Sequence, residues 1–117
     1  MHILFGEFDI HFQALLILMV CDYISGVLIA IYKKEFRSSI GYKGIVKKVG
    51  MLLCITVARQ IDNLALYNGE LETRSVVLLF FSINETLSIN ENLNKIGISI
   101  PKKITKTIKS AKQKLEK

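Results

Sequence analysis

The sequence has no tryptophan, one proline (Pro101) and only two cysteines, and residues 1–32 contain no lysine or arginine. With so little proline, little interrupts long helices. Cys21 and Cys54 lie in apolar stretches, without a CxxC or Cys/His cluster, so neither a disulfide framework nor a zinc site is expected. Both are read as small buried hydrophobes. The two histidines, His2 and His11, flank the first apolar block and stand in no nucleophile motif with Ser, Cys or Asp. Glycine-rich phosphate loops and metal-ligand spacings are also missing. An enzyme, a cofactor and a metal are therefore not expected. A length of 117 residues allows one small domain.

What is present is segregated. Half the residues are apolar or aromatic and 22% are charged, which is ordinary, but the cations are bunched. Residues 33–48 hold six Lys or Arg against Glu35, and the stretch from Lys95 onward holds eight Lys against Glu116. A basic pI of 9.4 with a positive mean hydropathy fits a membrane protein that keeps its cations on one side.

Three apolar blocks follow in order. His11 to Tyr32 supplies the roughly 20 apolar residues that a bilayer core requires, with Asp22 its one ionisable residue mid-block. Glu7 and Asp9 precede it where a signal peptide would be basic, so the helix is expected to be retained. Ser38, Ser39, Gly41 and Gly44 mark the basic connector after it as turn and loop. Val49 to Leu66 starts apolar and then turns two-faced, with Thr56, Arg59, Gln60 and Asn63 on one side. The third block starts at Ser75 and carries Ser82, Glu85 and Asn92 at helical spacing.

The expected fold is thus an all-α integral membrane protein. Residues 1–98 form a three-helix transmembrane domain with spans near 12–32, 46–66 and 75–94. Residues 99–117 form a basic amphipathic tail. Three crossings put 14 cations on one face of the membrane and Arg74 alone on the other, with Glu7, Asp9, Glu70 and Glu72. This predicts the N-terminus outside and the C-terminus inside. In the tail Ile100, Ile104, Ile108, Ala111 and Leu115 form an apolar stripe opposite lysine, which suits a helix lying on anionic lipid. No aromatic residue interleaves the tail, so nucleic acid is not expected as a partner. Lys33, Lys34, Lys47, Lys48, Lys102, Lys103, Lys106 and Lys109 are the expected headgroup contacts.

A charged side chain at the centre of a spanning helix costs roughly 2.5–3.5 kcal/mol. Asp22, Arg59, Asp62 and Glu85 should therefore face protein, a partner or water. Arg59 can pair with Asp62 three residues on, or with Asp22 across helices. Asp22, Ser25, Gly26 and Ala30 form a narrow strip on the first helix where backbones can approach, which favours self-association. Thr56, Arg59, Asp62, Asn63, Ser82 and Glu85 are the polar residues expected to face water once copies assemble.

The run Asp22-Tyr23-Ile24-Ser25-Gly26-Val27-Leu28, and then Ser38-Ser39-Ile40-Gly41-Tyr42-Lys43-Gly44 with Lys47-Lys48, resembles the phage-lysis and toxin-secretion holins of Gram-positive bacteria and their phages. Arg59-Gln60-Ile61-Asp62, Asn84 to Asn92 and Gly97-Ile98-Ser99-Ile100-Pro101 are similar to later blocks of the same family, so the likeness covers roughly residues 20–104. It implies a multi-pass protein of the host cytoplasmic membrane that accumulates harmlessly and then forms lesions releasing a cell-wall hydrolase or a toxin. It places Asp22 and Gly26 in the first-helix signature, Gly41 and Gly44 in the cytoplasmic connector and Glu85 in the third helix. Some holins use a second start that adds a basic N-terminal residue. Here the next methionine, Met19, lies inside the first span. The rival reading is a small oligomeric ion channel or transporter subunit that uses the embedded acids as a relay.

Overall fold

A computed structural model describes residues 2–34, 38–64, 72–99 and 101–116, and all regular structure among them is helical. The helices are α1 (His2–Phe5), α2 (Ile10–Tyr32), α3 (Ser38–Leu64), α4 (Thr73–Lys95) and α5 (Lys102–Glu116). The all-α expectation holds. α4 is the central helix, packed along α2 and also against α3, whereas α2 and α3 touch each other little.

Three of the helices have an identifiable start or stop. Asp9 is the N-cap of α2, where its carboxylate accepts from the Phe12 amide at 2.9 Å. α4 ends in a Schellman turn. Gly97 takes φ +89°, the Ile98 amide reaches the Leu93 carbonyl at 2.9 Å and the Gly97 amide reaches Asn94 at 3.1 Å. Pro101 then opens α5, its carbonyl accepting from the amides of Ile104 and Thr105.

α3 begins at Ser38, so residues 38–44 are helix and not the turn and loop that their Ser and Gly content suggested. The glycines serve packing instead. A Cβ at Gly41 would come within 3.1 Å of the Tyr23 hydroxyl, and one at Gly44 within 3.8 Å of the Tyr23 ring. Their missing side chains leave room for a tyrosine from α2, and that gain overrides the weak helix propensity of glycine.

The core is a short apolar stack of Phe12, Leu15 and Met19 on α2, Met51 and Ile55 on α3, and Leu78 on α4. The spacings i, i+3, i+7 and i, i+4 put each set on one helix face. The opposite faces are apolar too. Ile17, Val20, Ile24, Val49, Leu53, Val57, Val76 and Leu79 are all exposed. Cys21 and Cys54 also lie on this outer surface, which corrects the expectation that they are buried. An exterior that is itself apolar accepts a thiol as readily as a core does.

α2 is the one helix among the described residues long and apolar enough to cross a membrane. Its 23 residues extend about 35 Å, against a hydrocarbon core of about 30 Å. α3 and α4 match it in length, with 27 and 23 residues, but carry more polar positions.

The stack and the outer face should respond differently to truncation. Leu15→Ala, at a fully buried position, is expected to lose about 2–5 kcal/mol. Ile17→Ala, at a position 63% exposed, should change stability by well under that in a lipid-like solvent. Unfolding of both variants in detergent micelles measures the contrast, and equal losses would refute the inside–outside assignment.

Candidate functional site

Two polar layers bracket the apolar stack. The first joins the middle of α2 to α3 and α4. Lys48 on α3 donates to Asp22 Oδ2 at 2.9 Å and to both carboxylate oxygens of Glu85 on α4 at 3.4 Å. Asn92, two turns beyond Glu85, donates to Ser25 Oγ at 2.8 Å and to Asp22 Oδ1 at 3.3 Å. Ser25 in turn donates to the Asp22 backbone carbonyl at 2.9 Å. Glu85 is 4% exposed and Ser25 is equally buried. One ammonium thus serves two carboxylates, each from a different helix, and places an opposite charge beside both buried acids.

The second layer ties the N-terminal segment to the start of α4. Arg74 is buried and donates from Nη1 to Asp9 at 3.1 Å, from Nη2 to the Glu7 carbonyl at 2.6 Å and from Nε to the Phe5 carbonyl. Its guanidinium also lies 5.7 Å from the Phe12 ring centre. Gly6, at φ +83°, makes the approach possible, because a Cβ there would stand 2.8 Å from Arg74 Nε. Asp62 accepts from the backbone amides of Thr73 and Arg74 at 2.8 and 2.9 Å, so it caps the start of α4 from α3.

The residues singled out in the sequence divide between these layers. Asp22 and Ser25 belong to the first, within one chain and against α4. Gly26 faces open space and Ala30 is buried. Glu85 joins Asp22, whereas Asp62 stands at the other end of the bundle. Thr56 bonds back to the Leu52 carbonyl, Asn63 bonds to Gln60, and Ser82 gives its carbonyl to Thr86. Neither pairing foreseen for Arg59 forms. Both Asp62 oxygens are taken by backbone amides, Asp22 is held by Lys48, and among the described residues Arg59 Nε is buried without a partner. Lys48 is turned inward as an ion-pair partner, while Lys33, Lys34, Lys47, Lys102, Lys103, Lys106 and Lys109 are exposed.

Sequence reasoning passed over Lys48 as a partner and Arg74 as a clamp. Asn92 shares a helix face with Glu85, so its spacing carried a signal. For Arg74 nothing local did, because its partners lie 65 or more residues away.

An apolar exterior with ions paired inside is the organisation of a protein solvated by lipid. Comparison with known proteins agrees. The chain matches the model of the bacteriophage holin family over residues 1–113, and it belongs to that family. It is 42% identical over 102 residues to the probable holin of Bacillus phage phi105, covering 87% of this chain and 73% of that one. An uncharacterized protein of Listeria monocytogenes is 40% identical over 98 residues, 84% of this chain and 69% of its own. An uncharacterized 14.9 kDa protein of Clostridium perfringens is 37% identical over 111 residues, 95% of this chain and 83% of its own. No solved structure matches the chain.

The Asp9–Arg74 contact should give the second layer a pH signature. The hydrogen bond from Arg74 is the largest influence on Asp9, and with the Phe12 amide it holds the carboxyl below the usual aspartate range in spite of partial burial. The contact's contribution to stability is therefore complete above the ordinary aspartate pKa of about 3.9 and is lost as the pH falls toward the lowered folded value. Asp9→Asn should flatten the pH dependence of unfolding between about pH 4 and 2, and an unchanged profile would show that the pair does not couple to folding.

Proposed function

We propose that the chain is a three-span holin. It enters the host cytoplasmic membrane with its N-terminus outside and its basic α5 inside, associates with further copies, and opens lesions through which an endolysin or toxin passes. The observation that carries this reading is the layer of Asp22, Lys48, Glu85 and Asn92, closed within a bundle whose exterior is apolar. A lone chain of this kind can rest in lipid with the charges of this layer answered internally. The same groups become wettable if copies separate the helices and face them toward one another. The distribution of Lys and Arg supports the orientation, and membership of the holin family supports the activity.

On this reading Glu85 serves twice, shielded in the single chain and facing water in the assembled lesion. The strip from Asp22 to Ala30 is spent partly within the chain. Gly26 opens onto the space between α2 and α3, and association between copies then draws on the outer apolar faces, where Gly50 on α3 is open to a neighbour. Lys33 and Lys34, at the end of α2, and the lysines of α5 hold the inner face against anionic headgroups.

Expression in a bacterial host with and without a cytoplasmic endolysin tests the function. Expected are arrested growth and escape of a folded cytoplasmic reporter in both cultures, with turbidity falling only where the hydrolase is present. Retention of the reporter with a change in membrane potential alone would favour the selective channel, and clearing without the hydrolase would overturn the gatekeeping role. Glu85→Leu, at matched membrane levels of protein, should delay or abolish escape. Release on schedule would refute the water-facing role of Glu85.

A further inference from the structure

α2 and α3 diverge on one side of the bundle, leaving a cleft with two unlike halves. The upper half, of about 600 Å³, runs between Gly26 and Ala30 on α2 and Gly41 and Gly44 on α3, and Asp22, Lys47, Lys48 and Asn92 are its charged and amide lining. The lower half, of about 580 Å³, continues past Tyr23 and Ile45 and is walled by Leu16, Val20, Val49 and Leu52. Tyr23, Ile45 and Lys48 line both halves, so the two adjoin along the bundle surface.

Lys47 has no obvious place in this bundle. The Asp22–Lys48 contact fixes the level of α3 against α2, and Lys47 is consequently about ten residues, or about 15 Å, short of the end of α2 at Tyr32. The neighbouring ammonium is satisfied by Asp22 and Glu85. Lys47 is exposed, and among the described residues it has no carboxylate partner. A cation held at that depth needs an anion or water beside it, and an apolar groove in hydrocarbon must be filled.

We propose that this cleft binds one anionic phospholipid, its phosphate against Lys47 and an acyl chain laid along the lower half between Val20 and Val49. The order of the halves suits such a molecule: above, Asp22 is already held by Lys48 and Asn92, which leaves Lys47, among the described residues, as the cation free for a phosphate, and below, the lining is almost wholly apolar. The glycines make room for the headgroup, and the lipid fills the gap that direct α2–α3 packing leaves. The inference rests on the membrane reading above. It adds a specific lipid site at the seam between two helices, where occupancy would hold α3 to α2.

The test uses the full chain purified in detergent, with lipid retention read by native mass spectrometry and ligand stabilisation by thermal unfolding. Phosphatidylglycerol should remain bound at one copy per chain and raise the unfolding temperature, while phosphatidylcholine and inorganic phosphate should do neither. Lys47→Gln should weaken phosphatidylglycerol about fivefold, the effect of one lysine at an anionic surface. Gly26→Leu, which introduces a side chain where a Cβ meets nothing within 4 Å, should block the cleft and abolish retention in a folded protein. Equal binding of both lipids, undiminished binding by Gly26→Leu, or full competition by inorganic phosphate would overturn the proposal. So would a lipid-free dimer dispersed by Gly26→Leu, which would assign the cleft to a second copy. Recovery of the unmodified chain in the aqueous fraction without detergent would instead refute the membrane reading itself.

Discussion

The ammonium of Lys48 sits between two carboxylates that belong to different helices, and the vertical placement of those helices follows from it. At 2.9 Å from Asp22 the contact tolerates little sliding. A slip of one helical turn, about 5.4 Å, would separate the charges and leave three ions without partners at mid-bundle. The register set there brings Leu15 opposite Ile55 and Leu78. At the far end it puts Asp62 beneath the first amides of α4 and Arg74 within reach of Asp9. Asp9, the N-cap of α2, and Asp22 within it lie thirteen residues apart, about 20 Å, so the polar layers cap an apolar stack shorter than a bilayer core.

That arrangement reverses the usual division of a soluble bundle. The side chains with charge are held inside, and aliphatic ones such as Ile17, Leu53 and Val57 are left outside. In water the exposed face would drive aggregation, whereas in lipid it costs nothing and the driving force for helix packing is correspondingly weak. Hydrogen bonds and ion pairs then become the means of choosing one packing over others. α4 supplies most of them, and it is also the helix against which both neighbours pack.

The parts of this organisation that depend on one helix at a time were legible in the sequence. The long apolar α2, the two-faced α4 and the amphipathic α5 all follow from periodicity, and the acids Asp22 and Glu85 declare themselves by their cost in an apolar run. What depends on two helices was not legible. Gly41 and Gly44 look like loop residues until the Tyr23 side chain is placed against them. Lys48 counts as one more cation in a basic connector, because charge counting cannot tell a lysine at a membrane surface from one turned into the bundle. Arg74, counted only as the lone cation of its side, organises an N-terminal segment that no local pattern connects to it.

The contacts between helices are of two kinds, and they would yield to water differently. α2 and α4 are joined by the stack of Phe12, Leu15 and Leu78 as well as by Asn92, so separating them exposes apolar surface that water does not compensate. α2 and α3 share little packing, and Lys48 provides the one ion pair between them among the described residues. Water replaces an ion pair far more readily than it replaces an aliphatic contact, since each separated charge regains hydration. On the proposed reading, wetting of the bundle by neighbouring copies therefore acts first at the α2–α3 seam and leaves α2 and α4 together. The layer that lets a lone chain rest in lipid is thus also the joint that water would part first.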